Sequence, residues 1–310
     1  MDRILPGFLA LCMSGSLLAQ SAGQAGSFLR IGLGPRARAM GDAYSAVADR
    51  AVGPFYNPAG LGFIRVREAS VSASAMSFDR TFNFIGFVSP LPPSAGYGMG
   101  LLQSGFRSYE GRSSNGEPTG QQIEDTQYAV FMGFAIRFTD QFAAGITPTW
   151  MYSKVFDVSS TSLGTDIGFM YKPLAGLSLA YSIHQLFQDF NYVRDPSGLG
   201  DQTTQDKLPR VTRYGISYAR AFEGTVKGVL VAADLEKTQK QSTRIHLGTE
   251  INILNKIFFR SGLDASDLAV GLGIPIQWRD HRFLFDYAFI RDCRSGLQFG
   301  SHDFSLSYLF

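Results

Sequence analysis

The sequence predicts an all-β protein: a 14-stranded antiparallel transmembrane β-barrel with an N-terminal helical plug in its lumen. Three observations predict it. From Ser70 onward the hydrophobic period is two rather than 3.6. The candidate strands mostly run 9–13 residues, longer than the soluble mode and close to what a tilted strand needs to cross a bilayer. Long and short connections segregate by parity, as outside loops and periplasmic turns do.

Composition sets the same bounds. The 310 residues carry 28 Lys+Arg against 26 Asp+Glu, a net charge of +2, so no basic footprint for nucleic acid exists. Charged residues make up only 17%, aromatic residues 13%, and there are 34 Gly. A 45% hydrophobic content excludes a disordered chain. No apolar run after residue 20 reaches the length of a spanning helix.

The elements follow in order. Residues 1–20 read as a signal peptide: Arg3, an apolar stretch from Ile4 to Leu18, then small residues. Cys12 lies in that stretch, behind a Leu11 that does not suit a lipoprotein site, and leaves Cys293 unpaired in the exported chain. Residues 26–64 form a separate segment. Met40, Tyr44, Val47 and Ala51 recur at helical spacing, predicting a helix over 36–50 that Gly53-Pro54 ends. Asn57 is then placed to cap a short helix opening at Pro58.

The barrel spans 66–310, with strands at 68–78, 82–90, 95–107, 125–138, 141–154, 162–172, 176–186, 210–222, 226–236, 242–253, 257–265, 268–277, 281–290 and 301–310. The even-numbered connections are tight: 91–94, 139–140, 173–175, 223–225, 254–256 and 278–280. The three longest are odd-numbered: 108–124, 187–209 and 291–300. Pro148 falls mid-strand, where a missing N–H would loosen a ladder and open the wall sideways. In the last strand Phe304, Leu306, Tyr308 and Phe310 alternate with polar residues, similar to the signal read by the barrel assembly machinery.

Fourteen strands enclose more space than their side chains fill, so 26–64 is expected inside the lumen as a plug. Strand alternation points Arg137, Asp166, Lys172, Asp234, Arg244, Glu250, Arg260, Asp264, Arg282, Asp286 and Asp303 inward. Charges facing lipid are costly, so these are expected to pair with Arg36, Arg38, Asp42 and Asp49 of the plug. No catalytic constellation stands out. Gly32-Leu33-Gly34-Pro35-Arg36-Ala37 lacks the strand–helix frame of a dinucleotide site, no metal spacing and no nucleophile elbow occur, and no cofactor is called for. The one pair with hydrolase chemistry is Ser305 with His302.

A resemblance adds to this. Gly34-Pro35-Arg36-Ala37-Arg38-Ala39-Met40-Gly41-Asp42-Ala43-Tyr44, then Ala46-Val47-Ala48-Asp49 and Tyr56-Asn57-Pro58-Ala59-Gly60-Leu61, resembles the N-terminal signature of the PorV/PorQ family. The same run is similar to the hatch of FadL-type transporters. The resemblance covers roughly residues 30–62 and implies a 14-stranded barrel in the bacterial outer membrane. It implies a non-enzymatic role: uptake of small hydrophobic molecules, or docking of secretion proteins in a type IX system. Outer-membrane lipid is the expected surrounding partner, and outside loops 108–124 and 187–209 the expected capture surface.

Overall fold

The computed structural model describes residues 26–77, 79–155, 158–194, 202–239, 241–265, 267–291 and 300–310. Sixteen strands follow the N-terminal segment: β1 (Glu68–Ala75), β2 (Arg80–Leu91), β3 (Ala95–Arg112), β4 (Pro118–Arg137), β5 (Phe142–Val155), β6 (Val158–Leu174), β7 (Leu177–Leu186), β8 (Asp189–Arg194), β9 (Gln202–Lys207), β10 (Val211–Ala221), β11 (Val226–Thr238), β12 (Arg244–Ile253), β13 (Ile257–Asp264), β14 (Asp267–Trp278), β15 (His281–Arg291) and β16 (Gly300–Leu309).

Fourteen of them close a ring. Each pairs antiparallel with its neighbour, β7 passes to β10, and β1 returns to β16 with Ser70 opposite Ser307. The remaining two, β8 and β9, form a hairpin that prolongs the upper end of β6, where Val158 faces Arg194. The stretch 187–209 is therefore not all loop. Its strand residues include a polar Gln202–Lys207 run with no apolar alternation to announce it. The connection read as 108–124 also shrinks, because β3 and β4 run on to Arg112 and Pro118. The even-numbered turns stay tight, so β1 begins and β16 ends at the periplasmic end of the barrel.

The outer face is apolar and exposed. Ile85, Met132, Phe134, Trp150, Leu163, Ile216, Ile245, Leu272 and Leu306 all point away from the lumen. Such a continuous apolar surface is not stable in water and belongs against lipid hydrocarbon. The inner face is lined by small and polar residues, including Gly133, Gly145, Gly168, Gly215, Gly248 and Gly262.

Those glycines make room for residues 26–64, which pack inside the ring. Met40, Tyr44, Tyr56 and Leu61 are fully buried there, so the core of the molecule is the contact between this segment and the wall. The predicted 36–50 helix is not formed. A helix covers only Pro35–Ala39, and the chain then turns through positive φ at Gly41, Asp42 and Ala48. The barrel wall satisfies the donors that a longer helix would have bonded internally: Asp234 accepts the N–H groups of Tyr44 and Ser45. Gly53-Pro54 opens a short helix, Gly53–Tyr56, instead of ending one, since proline in a first helical turn forfeits no bond. Asn57 caps the following 3-10 turn, Pro58–Phe63, its Oδ1 accepting from the Ala59 N–H at 3.0 Å.

Candidate lumenal site

Two ionic networks tie the segment to the wall. In the periplasmic half the charges alternate along one chain. Arg36 donates to Asp49 (2.7 Å) and bidentately to Glu250 (2.8 and 2.9 Å). Arg260 bridges Glu250 and Asp286, both at 2.6 Å. Arg50 lies 3.8 Å from Asp286 and bonds Glu68 at 2.7 Å. Arg38 pairs separately with Asp303 at 2.6 Å. Buried charges of this kind persist only when paired, and removing one partner strands the other at a cost of several kcal/mol.

The second network sits in the extracellular half. Arg213 pairs with Glu236, and Arg244 pairs with Asp264 at 2.7 Å. His246 lies between Asp264 (3.1 Å) and Glu236 (3.7 Å), its Nδ1 also 3.0 Å from the Gly41 carbonyl. Tyr56 links this region to the segment's own fold. Its hydroxyl donates to Asp42 Oδ1 at 2.7 Å and accepts the Leu33 N–H at 2.7 Å. Burial, and next the Asp264 carboxylate, push the Asp42 carboxyl above its ordinary range. Burial and the Asp42 charge push the Tyr56 hydroxyl well above its own.

Six of the eleven inward-pointing charges meet here: Arg244, Glu250, Arg260, Asp264, Asp286 and Asp303. Arg282 shares the lumenal register of Asp286 but lies exposed at the periplasmic rim. Arg137 lies at the same end, beside Gly62, and Lys172 caps the Phe63 ring at 4.0 Å. Arg50, Glu68, Arg213, Glu236 and His246 complete the networks and escape sequence reading. Alternation places the last four inward, yet only the register across strands shows which charge meets which.

Above the segment lies a cavity of about 600 Å³, counting its open mouth. Phe55, Phe131, Leu29, Ala129 and Val211 form its apolar wall, and Thr147, Gln185, Gln188, Arg213 and Glu236 its polar one. Asp166 faces it from β6. It accepts the Gln185 N–H at 2.9 Å and lies 3.1 Å from His184, whose Nε2 is 2.8 Å from Ser182 Oγ. This serine is fully buried and donates to the Tyr56 carbonyl, so it serves as a contact between wall and segment. Ser305 and His302 lie on opposite faces of β16, which removes them as a hydrolytic pair. His302 points outward to Tyr287. No group with metal-ligand spacing occurs among the described residues.

The wall beside the cavity is interrupted. Between β4 and β5 the pairing runs from Asp125–Val155 to Phe131–Thr149, lapses, and resumes at Phe134–Ile146. The lapse lies at Pro148, which has no N–H to donate.

No protein-family model matches the chain, and no curated protein does either. Solved structures do. The chain is similar to the toluene transporter TodX of Pseudomonas putida, with a TM-score of 0.62 and 13% identity over 90% of this chain and 98% of that one. It is similar to the CymD monoaromatic hydrocarbon channel (TM-score 0.59, 11% identity, 90% and 97% covered). It is also similar to a FadL homologue of Pseudomonas aeruginosa (TM-score 0.59, 10% identity, 90% and 98% covered). The architecture is thus the FadL-like 14-stranded barrel, and with its lipid-facing belt the chain is a bacterial outer-membrane protein. None of these three neighbours is a PorV or PorQ protein.

Proposed function

We propose that the chain passes small hydrophobic molecules across the outer membrane without acting as an open pore or an enzyme. The observation that carries this reading is the half-apolar cavity held between the extracellular mouth and a tightly seated segment. Ions and bulk solutes meet the buried Tyr44–Tyr56 core, while a small apolar body finds the Phe55–Phe131 wall. Two of the structural neighbours, a toluene transporter and a monoaromatic hydrocarbon channel, agree with this cargo class.

The route we infer runs from the extracellular hairpins into the cavity and out sideways between β4 and β5. Expelling residues 26–64 would break several buried ion pairs together. Parting the wall at Pro148 exploits a ladder that is already interrupted. None of the three structural neighbours supports the alternative that residues 30–62 imply, secretion docking, which predicts a ligand-free lumen with co-purifying secretion proteins.

Uptake of radiolabelled toluene decides between them. Cells expressing the chain should take up toluene faster than cells carrying the empty vector, with no added ion conductance across the outer membrane. Equal uptake in the two would refute transport and favour docking.

A further inference from the structure

The polar side of the cavity specifies the cargo more narrowly than its apolar side does. Eleven buried side-chain polar atoms find no hydrogen-bond partner among the described residues, and five belong to side chains lining this one cavity. They are Thr147 Oγ1, Gln185 Oε1, Gln188 Nε2, Arg213 Nη1 and Glu236 Oε1. All five residues are at least nine-tenths buried. The set holds donors (Gln188, Arg213), acceptors (Gln185, Glu236) and one hydroxyl able to do either.

Their placement is built rather than incidental. Gly164 has no Cβ where one would lie 2.5 Å from the Gln188 amide carbon, so that side chain is accommodated against β6. Gln185 holds a left-handed backbone (φ 62) while its N–H is tied to Asp166. The other polar groups at this level are occupied: Asp166 by His184 and the Gln185 N–H, Glu236 Oε2 by Arg213 Nη2.

A pure hydrocarbon filling this space would leave all five atoms unpaired, and an unmet buried polar group is costly. A carboxylate or an ammonium would gain little, because Arg30 and Arg213 on the lining are matched by Asp166 and Glu236. A neutral hydroxyl both donates and accepts, so it can bond an acceptor such as Gln185 Oε1 and a donor such as Gln188 Nε2 at once. The aromatic wall of Phe55 and Phe131 suits a flat ring behind that hydroxyl.

We propose that the cavity is a binding site for small neutral hydroxylated aromatics, with Thr147 and Gln188 as specificity-determining residues. This rests on the transport reading above and narrows its cargo. The test is binding of three matched probes, p-cresol, toluene and benzoate, to the full chain in lipid nanodiscs by saturation-transfer NMR and calorimetry. p-Cresol should bind about tenfold more tightly than toluene, with benzoate weaker than p-cresol. Thr147→Val, which keeps shape and removes the hydroxyl, and Gln188→Leu should each weaken p-cresol about tenfold and leave toluene within about twofold. Toluene or benzoate binding as tightly as p-cresol would overturn the inference, as would variants that weaken p-cresol and toluene alike. Toluene uptake by cells separates the two levels. Uptake without a p-cresol preference leaves the transport reading standing and removes this one; no uptake and no binding removes both.

Discussion

At the residue scale the lumenal carboxylates do different work. Asp234 accepts two backbone N–H groups and the Ser45 hydroxyl from the inserted segment. Asp234→Ala leaves buried donors unmet and should cost about 3 kcal/mol, read as a lower unfolding midpoint in denaturant. Asp42 is the opposite case. Its environment disfavours the charge, and its left-handed backbone suits Asn as well as Asp. Its folded value lies above the ordinary 3.8, so its contribution to stability is greatest below that pH and declines as pH rises through the window up to the folded value. Asp42→Asn should therefore hold or raise the melting temperature at neutral pH, and the difference from wild type should shrink in acid. A large loss at neutral pH would show that Asp42 is needed as an anion.

At the element scale the close approaches are backbone to backbone. Gly41 sits at φ 61, and a Cβ there would meet the Leu263 backbone at 2.5 Å. Gly41→Ala should lift the turn off β13 and expose residues 26–64 to protease in the folded barrel, with the wall intact. At the β4–β5 lapse, Pro148→Val restores a donor and should slow toluene uptake at least severalfold without lowering stability. The strands themselves were legible because lipid demands a large apolar residue at every second position, as in Leu268 to Ile276. The inserted segment was legible as a unit, but not its path. Met40, Tyr44, Val47 and Ala51 have helical spacing, yet that spacing reports burial on several sides. The wall, through Asp234 and His246, bonds backbone groups that a helix would have paired internally. In the β8–β9 hairpin, β9 is polar throughout, and the Phe190–Tyr192 alternation of β8 is too short to announce a strand.

At the scale of the whole molecule, the barrel is a scaffold that the segment fills. The segment's ion pairs reach β12, β15, β16 and β1 through Glu250, Asp286, Asp303 and Glu68, so it braces the ring as well as closing it. Deleting residues 30–62 should turn a barrel that is silent in planar bilayers into a steady ion conductor. If the deletion stayed silent, the seal would lie in the extracellular hairpins. Inward alternation made the charged lining readable from sequence. The pairing of Arg213 with Glu236, or of His246 with Asp264, became visible only with the register between β10, β11, β12 and β13.

Filling the cavity gives the most direct measurement of passage through it. Ala129 lines the cavity from β4 and is buried beside Phe131. Radiolabelled toluene uptake would be compared between cells expressing wild type and cells expressing Ala129→Trp, with Thr149→Trp as the second variant should the first not assemble. Passage through the cavity predicts that a folded, outer-membrane-inserted variant takes up toluene no faster than empty-vector cells. Wild-type uptake from a barrel whose cavity is filled would contradict it.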